Sequence, residues 1–473
     1  MKRGAHFIGT ARGAVLSSLD NNSDGDSMKQ GRRAVLGMAL LGGVGHVLGG
    51  APTPSPARRP GQHGRLDAEL REIAGYPACQ LASLSVLAIR NGEIVYEFQS
   101  GQRFIGAGKL PSRPANEHTL YRIASISKMM TTLGLMRLVE EGKLSLDRDA
   151  GDYLGYPLRN PHFRDKAITL RALLSHTSTL RDDAGYSFPA EKSLKSLLLA
   201  GGELHGKGAM WAPTSPPGHY FSYSNLNWAV IGTIMERVTE ERFDRLMKRL
   251  LLDPMGLHGG YNPSEFSPED LSNLATLYRK RTVDTETWDA NGPWIPQVDD
   301  YCVRPPPRPA GIDNYVVGTN ATPFSPTGGM RMSARDMGKV MLMLMNKGRH
   351  EGRQILQPGT LDTMFARQWA YDGSNGDTDK GLFNYWGLGN QHFPDKPGMQ
   401  LVEGGGFGGV GHLGEAYGLM SVFAADLANK NGMVMLVGGV SSDPEVYKGK
   451  YSAMPRFEEQ VLTTLYKSAI FGD

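Results

Sequence analysis

The most constraining feature of the chain is an apolar segment, residues 121–144, that carries a serine and a lysine three positions apart. Its apolar residues recur at helical spacing and spread around most of the circumference, which predicts a largely buried helix. Gly142 follows as a C-terminal cap. This spacing places Ser125 in the first turn of the helix and Lys128 one turn later on the same face.

The pairing of Ser125 with Lys128 has a chemical rationale. A serine hydroxyl is a weak nucleophile until a neighbouring base accepts its proton. A lysine buried against apolar side chains has a lowered pKa and is able to act as that base. The non-catalytic alternative is that Ser-x-x-Lys occurs here by chance and that the serine serves only as a helix cap.

Two further motifs follow in the chain. Tyr-Ser-Asn occupies residues 223–225, and His-Leu-Gly occupies residues 412–414. Beside Lys128, a Tyr223 phenolate would be favoured, which makes this residue a candidate general base or acid. Taken alone, Tyr223 would be a core aromatic with a satisfied hydroxyl.

The three motifs in this order resemble the serine β-lactamase and penicillin-binding-protein-like hydrolase family. The resemblance covers roughly residues 65–470 and is closest to class C β-lactamases and to their esterase (family VIII carboxylesterase) and D-peptidase relatives. It implies an α/β (α+β) fold of the β-lactamase/DD-peptidase type. In that fold an antiparallel sheet, formed by both chain ends and flanked by helices, is interrupted by an inserted, mostly helical domain.

The resemblance also implies roles for individual residues. The catalytic residues are Ser125, Lys128 and Tyr223, and it stays open whether Lys128 or Tyr223 is the first base. The substrate-binding residues are Asn225, His412, Gly414 and Glu415, with the backbone N–H groups of Ser125 and Glu415 as oxyanion donors. No cofactor and no metal ion are expected.

Two positions depart from the family pattern. His412 stands where the family's β-lactamases carry lysine, and histidine is mostly neutral at pH 7. This argues against a dedicated binder of substrate carboxylates. Glu415 stands where relatives usually have a small residue, so we expect its side chain to point away from the oxyanion.

The function implied is a serine hydrolase that forms an acyl-enzyme with a small-molecule carboxylic ester or small amide. One alternative is a β-lactamase, a D-alanyl-D-alanine carboxypeptidase or a D-aminopeptidase. Another is a penicillin-binding or sensing protein that is acylated without turnover. The resemblance implies that the segment around His176 is a structural loop, which disfavours His176 as part of a Ser-His-Asp triad. The absence of a Gly-x-Ser-x-Gly motif separately disfavours an α/β-hydrolase.

The expected organisation has three parts. Residues 1–60 read as an export signal and a disordered proline-rich linker, because Arg32-Arg33 precedes a weakly apolar run and resembles a twin-arginine signal. Export to the periplasm or medium is expected, with a cytoplasmic protein as the alternative, and no stable membrane anchor. The sheet domain comprises residues 61–150 and 325–473, and the helical insertion comprises residues 151–324.

Shorter sequence patterns predict individual hairpins, helices and loops. Hairpins are expected at residues 84–98, across Asn91-Gly92, and at residues 417–437, across Asn431-Gly432. Helices are expected at residues 227–252 and 456–471, and long loops at residues 261–326. A net charge of +3 without a basic stripe excludes nucleic-acid binding. Pairing of Cys79 with Cys302 and the oligomeric state are both left open by the sequence.

Overall fold

A nine-stranded antiparallel sheet organises the structure, a computed structural model that describes residues 63–472 except residues 107 and 303. The strands of this sheet and of three smaller sheets are, in chain order, β1 (Ser83–Arg90), β2 (Glu93–Phe104), β3 (Arg113–Pro114), β4 (Tyr121–Arg122), β5 (Leu277–Lys280), β6 (Trp294–Val298), β7 (Arg331–Met332), β8 (Arg349–His350), β9 (Arg353–Gln354), β10 (Trp369–Ala370), β11 (Tyr385–Trp386), β12 (Gln391–Phe393), β13 (Gly409–Ala416), β14 (Leu419–Asp426), β15 (Asn431–Val437) and β16 (Gly439–Val440).

The order of strands in the large sheet is β10-β11-β12-β13-β14-β15-β1-β2-β3. Strand β1, from the start of the described chain, pairs with β15, from near its end, so that Leu84 lies opposite Val437. Both ends of the chain therefore complete one antiparallel sheet, as the resemblance implied. Smaller sheets join β16 to β5 and β6, β4 to β7, and β8 to β9.

Strand β1 is buried on both faces because other elements pack against the sheet on both sides of it. Its side chains alternate in direction, so that Leu87 and Ile89 enter the core on the side of the central helices. Leu84 and Val86 enter a second core, which the N- and C-terminal helices cover. A continuous apolar run is what a strand covered on both faces requires.

Twelve α-helices lie within the described residues: α1 (Gly64–Ala74), α2 (Ile126–Glu140), α3 (Ala150–Leu154), α4 (Leu170–Leu174), α5 (Leu194–Leu198), α6 (Leu226–Thr239), α7 (Phe243–Met247), α8 (Asp253–Met255), α9 (Pro268–Asn273), α10 (Ala334–Met345), α11 (Pro358–Phe365) and α12 (Arg456–Leu465). Helices α1 and α12 cover one face of the large sheet. Helices α2 and α10 cover the other face, and α6 packs against α2 in the same core. Below, the two faces are called the α12 face and the α2 face.

Helix α2 is the buried helix expected from the Ser-x-x-Lys segment, but it is shorter at both ends. Residues 121–122 form strand β4, which pairs with β7, and the helix begins at Ile126 with Ser125 as its N-cap. Ser125 thus precedes the first turn by one residue. Gly142, with a φ of 69°, lies just beyond the C-terminal end.

The helix expected at residues 227–252 is broken into separate pieces. Glu240 adopts a left-handed φ of 55° and ends α6. The buried carboxylate of Glu236 accepts a hydrogen bond from the Phe243 N–H, at 2.8 Å, and so caps α7. A π-helical turn, Lys248–Leu252, then connects α7 to α8. The spacing of apolar residues, from which one continuous helix was expected, does not record this side-chain cap.

The two expected hairpins form. Asn91 and Gly92 both have positive φ values, 53° and 80°, and make the tight turn between β1 and β2. In the second hairpin, residues 427–430 make the turn, and Asn431-Gly432 begins β15 instead of forming the turn. The Asp426 carboxylate stabilises that turn by accepting a hydrogen bond from the Asn429 N–H, at 3.0 Å.

Gly64–Asp473 forms one compact unit. The boundaries expected for a sheet domain and a helical insertion stay predictions. The export signal and linker expected at residues 1–60 lie outside the described residues. Within residues 63–472, apart from 107 and 303, no helix is both long enough and apolar enough to cross a membrane. Cys79 and Cys302 are free thiols.

Candidate active site

The hydroxyl of Ser125 lies at the N-terminus of α2, where the chain turns sharply. Ala124, directly before it, has a φ of 45° in the left-handed region, which a residue with a side chain seldom adopts. Ser125 itself is half-buried. The turn therefore presents the serine beside the first turn of a buried helix, at the positive end of the helix dipole.

Lys128 lies one turn later and is fully buried. Its Nζ is 3.0 Å from Ser125 Oγ, 2.8 Å from Asn225 Oδ1 and 3.1 Å from the carbonyl oxygen of Thr327. Asn225 Oδ1 and the Thr327 carbonyl can only accept hydrogen bonds. They take the two hydrogens of a neutral amine, and the nitrogen lone pair then points to the Ser125 hydroxyl.

The charge state of Lys128 follows from its burial. Desolvation lowers its pKa to about 7, and the Asp182 carboxylate partly opposes that shift. At neutral pH a large share of the enzyme then holds Lys128 as a free amine. Such an amine is able to accept the proton of Ser125.

Asp182 anchors the Tyr-Ser-Asn segment with four hydrogen bonds. One carboxylate oxygen accepts from Ser224 Oγ and the Leu226 N–H, both at 2.9 Å. The other accepts from the Asn225 N–H at 2.9 Å and from Asn225 Nδ2 at 2.8 Å. The last bond fixes the orientation of the Asn225 amide, because Nδ2 faces Asp182 and Oδ1 is left to face Lys128.

Tyr223 lies over the same lysine. Lys128 Nζ is 4.8 Å from the centroid of its ring. Desolvation is the main cause that raises the pKa of Tyr223 well above its usual value, and a hydrogen bond with the Ser125 side chain opposes the rise. The tyrosine therefore rests as a neutral phenol. The phenolate considered from the sequence is therefore disfavoured at rest, and Lys128 is the one of the two whose pKa lies near neutrality.

The His176 ring packs against the Tyr223 ring. The two rings stack with centroids 4.4 Å apart, and His176 Nδ1 accepts a hydrogen bond from the Ser224 N–H at 3.0 Å. Its φ of 57° lets the loop place the ring there. Burial lowers the pKa of His176 well below its usual value. His176 thus packs under the Tyr-Ser-Asn segment.

His412 lies on β13 near the same group of residues. Its ring centroid is 6.4 Å from that of Tyr223 and 5.3 Å from that of Trp386. Burial, followed by the nearby Lys128, lowers the pKa of His412 to about 3. The imidazole is therefore neutral at any working pH.

Gly414 is the point at which β13 passes Ser125. A Cβ at this position would lie 2.6 Å from the carbonyl oxygen of Ile123 and 3.2 Å from the Ser125 nitrogen. Only a glycine allows the two backbones to approach this closely. The approach brings the β13 backbone, with the Glu415 N–H next in sequence, to the N-terminus of α2.

Glu415 directs its side chain away from Ser125. Strand alternation places it on the same face as Leu413, which packs into the core on the α12 face. Glu415 is exposed, yet protein surrounds most of its carboxylate. This desolvation, followed by repulsion from Glu445, raises the pKa of Glu415 to about 7, and Arg279 opposes the shift.

The structure thus brings Ser125, Lys128, Asn225 and Tyr223 together, places His412 beside them, and places Gly414 against Ser125. A sequence model of the family described as Beta-lactamase matches residues 67–453. The chain belongs to the beta-lactamase family. Its three motifs lie on α2, directly before α6 and on β13.

Two sequence relatives agree with the family. Protein flp of Staphylococcus aureus (strain N315) is 27% identical over 176 residues, which cover 36% of this chain and 33% of flp. Penicillin-binding protein 4* of Bacillus subtilis (strain 168) is 28% identical over 204 residues, which cover 41% of each chain. The match thus spans less than half the length of these relatives.

Two solved structures share the fold of this beta-lactamase-family chain. An octameric penicillin-binding protein homologue from Pyrococcus abyssi has a TM-score of 0.59 and 21% identity, with 87% of this chain and 77% of that chain covered. The D-amino acid amidase from Ochrobactrum anthropi SV3, complexed with D-phenylalanine, has a TM-score of 0.56 and 19% identity, with 85% and 99% covered. The fold is therefore β-lactamase/DD-peptidase-like.

Sequence reasoning missed two residues of the site, Asp182 and Thr327. Thr327 supplies its carbonyl to Lys128 and donates from Oγ1 to Asn225 Oδ1 at 2.7 Å. Neither residue belongs to a motif with fixed spacing. The one available signal was the Gly328-Gly329 pair directly after Thr327. Across the described residues, no group of three or more His, Cys, Asp or Glu side chains is arranged to hold a metal ion.

Proposed function

We propose that this beta-lactamase-family protein hydrolyses small carboxylic esters or amides through an acyl-enzyme on Ser125. The observation that carries the proposal is the environment of Lys128. Two fixed acceptors take its hydrogens, and burial holds its pKa near neutrality, so that its lone pair faces the Ser125 hydroxyl.

In the first step Ser125 Oγ bonds to the substrate carbonyl carbon while its proton passes to Lys128. The Ser125 and Glu415 N–H groups are the proposed donors to the oxyanion. The bond to the leaving group then breaks, and that group takes the proton by way of Tyr223, which is a neutral phenol able to donate. In the second step water attacks the acyl carbon and passes one proton to Lys128. The bond between the acyl carbon and Ser125 Oγ then breaks, Oγ takes that proton back, and the carboxylic acid is released.

His412 determines which substrate charge the site prefers. Lysine at this position would offer a full charge to a substrate carboxylate, whereas the imidazole is neutral. A hydrogen bond to a charged group contributes about 1.5–3 kcal/mol, which is roughly a ten- to hundredfold effect on binding. Neutral esters and amides therefore fit the site better than substrates that depend on carboxylate recognition, such as the β-lactams.

The test is a comparison of kcat/KM for short-chain 4-nitrophenyl esters and for nitrocefin. We expect the wild-type enzyme to prefer the esters, and we expect His412→Lys to shift the ratio toward the anionic nitrocefin. A wild-type enzyme that hydrolyses nitrocefin faster than every ester would establish a β-lactamase instead. A stable adduct without turnover of any substrate would establish a binding or sensing protein.

A further inference from the structure

The neighbouring backbone determines which ring nitrogen of His412 carries the proton. Its Nδ1 lies 2.5 Å from the carbonyl oxygen of Leu413. A carbonyl oxygen only accepts hydrogen bonds, so Nδ1 must carry the ring proton. Because the imidazole is neutral, Nε2 then has a lone pair and no hydrogen.

That Nε2 atom has no hydrogen-bond partner among the described residues, although His412 is only 1% exposed. A buried polar atom without a partner is costly, and native structures rarely keep one without a reason. His412 shares a face of β13 with Gly414, since the two are separated by one residue. A Cβ on Gly414 would lie 3.2 Å from the Ser125 nitrogen, so His412 projects from the face of β13 that is turned toward the N-terminus of α2.

His176, the other buried histidine at the site, has the opposite tautomer. The Ser224 N–H donates to His176 Nδ1 at 3.0 Å, so the proton of that ring lies on Nε2, which likewise has no partner among the described residues. The two buried histidines at the site thus have opposite tautomers.

We propose that His412 Nε2 accepts a hydrogen bond from the substrate, and that this protein selects esters or amides with an N–H group near the scissile carbonyl. This inference rests on the proposed function and narrows its substrate class. A carboxylate or an ether oxygen at the same place would meet the lone pair of Nε2 without a proton between them. An N–H group, from an ammonium or from an amide, completes the site.

The first test does not depend on activity. A long-range ¹H–¹⁵N spectrum of Ser125→Ala protein labelled with ¹⁵N-histidine, compared with that of the double variant Ser125→Ala/His412→Phe, identifies the His412 signals. We expect the protonated nitrogen to be Nδ1 and the bare nitrogen to be Nε2. A proton on Nε2 would overturn the inference while leaving the proposed hydrolysis intact.

The second test compares esters that differ by one atom. On the acyl side, the pair is the 4-nitrophenyl ester of N-acetylglycine and that of acetoxyacetic acid, in which oxygen replaces N–H. On the leaving side, the pair is the acetate ester of glycolic acid N-methylamide and that of methyl glycolate. We expect one of these pairs to show about a tenfold preference in kcat/KM for the N–H compound.

His412→Phe should abolish that preference, and His412→Gln, which keeps an acceptor, should restore part of it. The matched control is His392→Phe on neighbouring β12, which should leave the preference unchanged. Equal kcat/KM values within both pairs for the wild-type enzyme would overturn the inference. Hydrolysis of none of the four esters would contradict the proposed function, and the ¹⁵N spectrum would still decide the His412 assignment.

Discussion

Lys128 Nζ lies 3.0 Å from Ser125 Oγ, and the groups on its other sides accept hydrogen bonds without offering any. A buried amine in this setting is held as a base with one free direction. The orientation of Lys128 also depends on a residue that does not contact it, Asp182. Asp182 holds the Asn225 amide, and the Asn225 amide in turn fixes where the lone pair of Lys128 points.

The first prediction concerns pH. Only the neutral form of Lys128 has a lone pair, so kcat/KM should rise roughly tenfold per pH unit on the acidic side. It should level off above the Lys128 pKa of about 7. The measurement is kcat/KM for a neutral 4-nitrophenyl ester between about pH 5 and 9. A profile that keeps rising toward pH 10 would show instead that Lys128 retains the pKa of an ordinary lysine.

The second prediction concerns Asp182→Asn. The variant amide places an NH₂ group against donors, so Asn225 loses its fixed orientation and kcat should fall by about tenfold or more. Loss of the charge that raises the Lys128 pKa should also move the acidic limb to lower pH. The unfolding free energy should fall by about 2–3 kcal/mol, because hydrogen bonds to a charged group are lost.

Asp183→Asn is the matched control, since Asp183 is the next residue and is exposed. It should leave kcat, the pH profile and the stability unchanged. An Asp182→Asn enzyme with a normal kcat and an unmoved acidic limb would show that Asp182 is only a helix cap.

The third prediction concerns Gly414→Ala. The new methyl group would lie 2.4 Å from Ser421 Oγ and 2.6 Å from the Ile123 carbonyl oxygen, so β13 must move away from Ser125. Loss of one oxyanion donor costs about 10²–10³ in kcat, and overpacking costs about 1–3 kcal/mol of stability. Gly359→Ala, where a methyl group meets nothing within 4 Å, should do neither. A Gly414→Ala enzyme with near-normal kcat would contradict this placement of the oxyanion.

The fourth prediction concerns Tyr223→Phe. A neutral phenol that protonates the leaving group matters most when that group is a poor one. We therefore expect a loss of about 10²–10⁴ in kcat on an amide and a clearly smaller loss for acylation by a 4-nitrophenyl ester. The control is Tyr371→Phe, whose hydroxyl bonds only the Gly373 carbonyl oxygen at the surface. Equal losses on the two substrates would remove Tyr223 from proton delivery.

Much of this arrangement could be predicted from the sequence, because its signals are local. The spacing of Ser125 and Lys128 follows from one turn of helix, and Asn91-Gly92 encodes its own turn. Asp182 could not be found in this way. It acts through hydrogen bonds to residues more than forty positions away, and no periodicity records such a contact. The break after α6 was also missed, because the hydrogen bond from the Phe243 N–H to the Glu236 side chain leaves no mark in the spacing of apolar residues.

The tautomers of His176 and His412 are further details that only the fold reveals. Both residues are histidines near motifs, and the sequence gives no means to tell a donor from an acceptor. The difference arises from which backbone group happens to meet Nδ1, an N–H in one case and a carbonyl in the other.

The most direct test of the central claim is covalent labelling of Ser125. Intact-protein and peptide mass spectrometry after reaction with a fluorophosphonate should show one adduct, located on Ser125. Ser125→Ala should show none while keeping the wild-type melting temperature. Ser127 and Ser175 are the nearest rivals, but Ser127 Oγ is occupied by the Met330 N–H and Ser175 Oγ donates to the Arg171 carbonyl. Labelling that persists at full rate in Ser125→Ala would contradict the account.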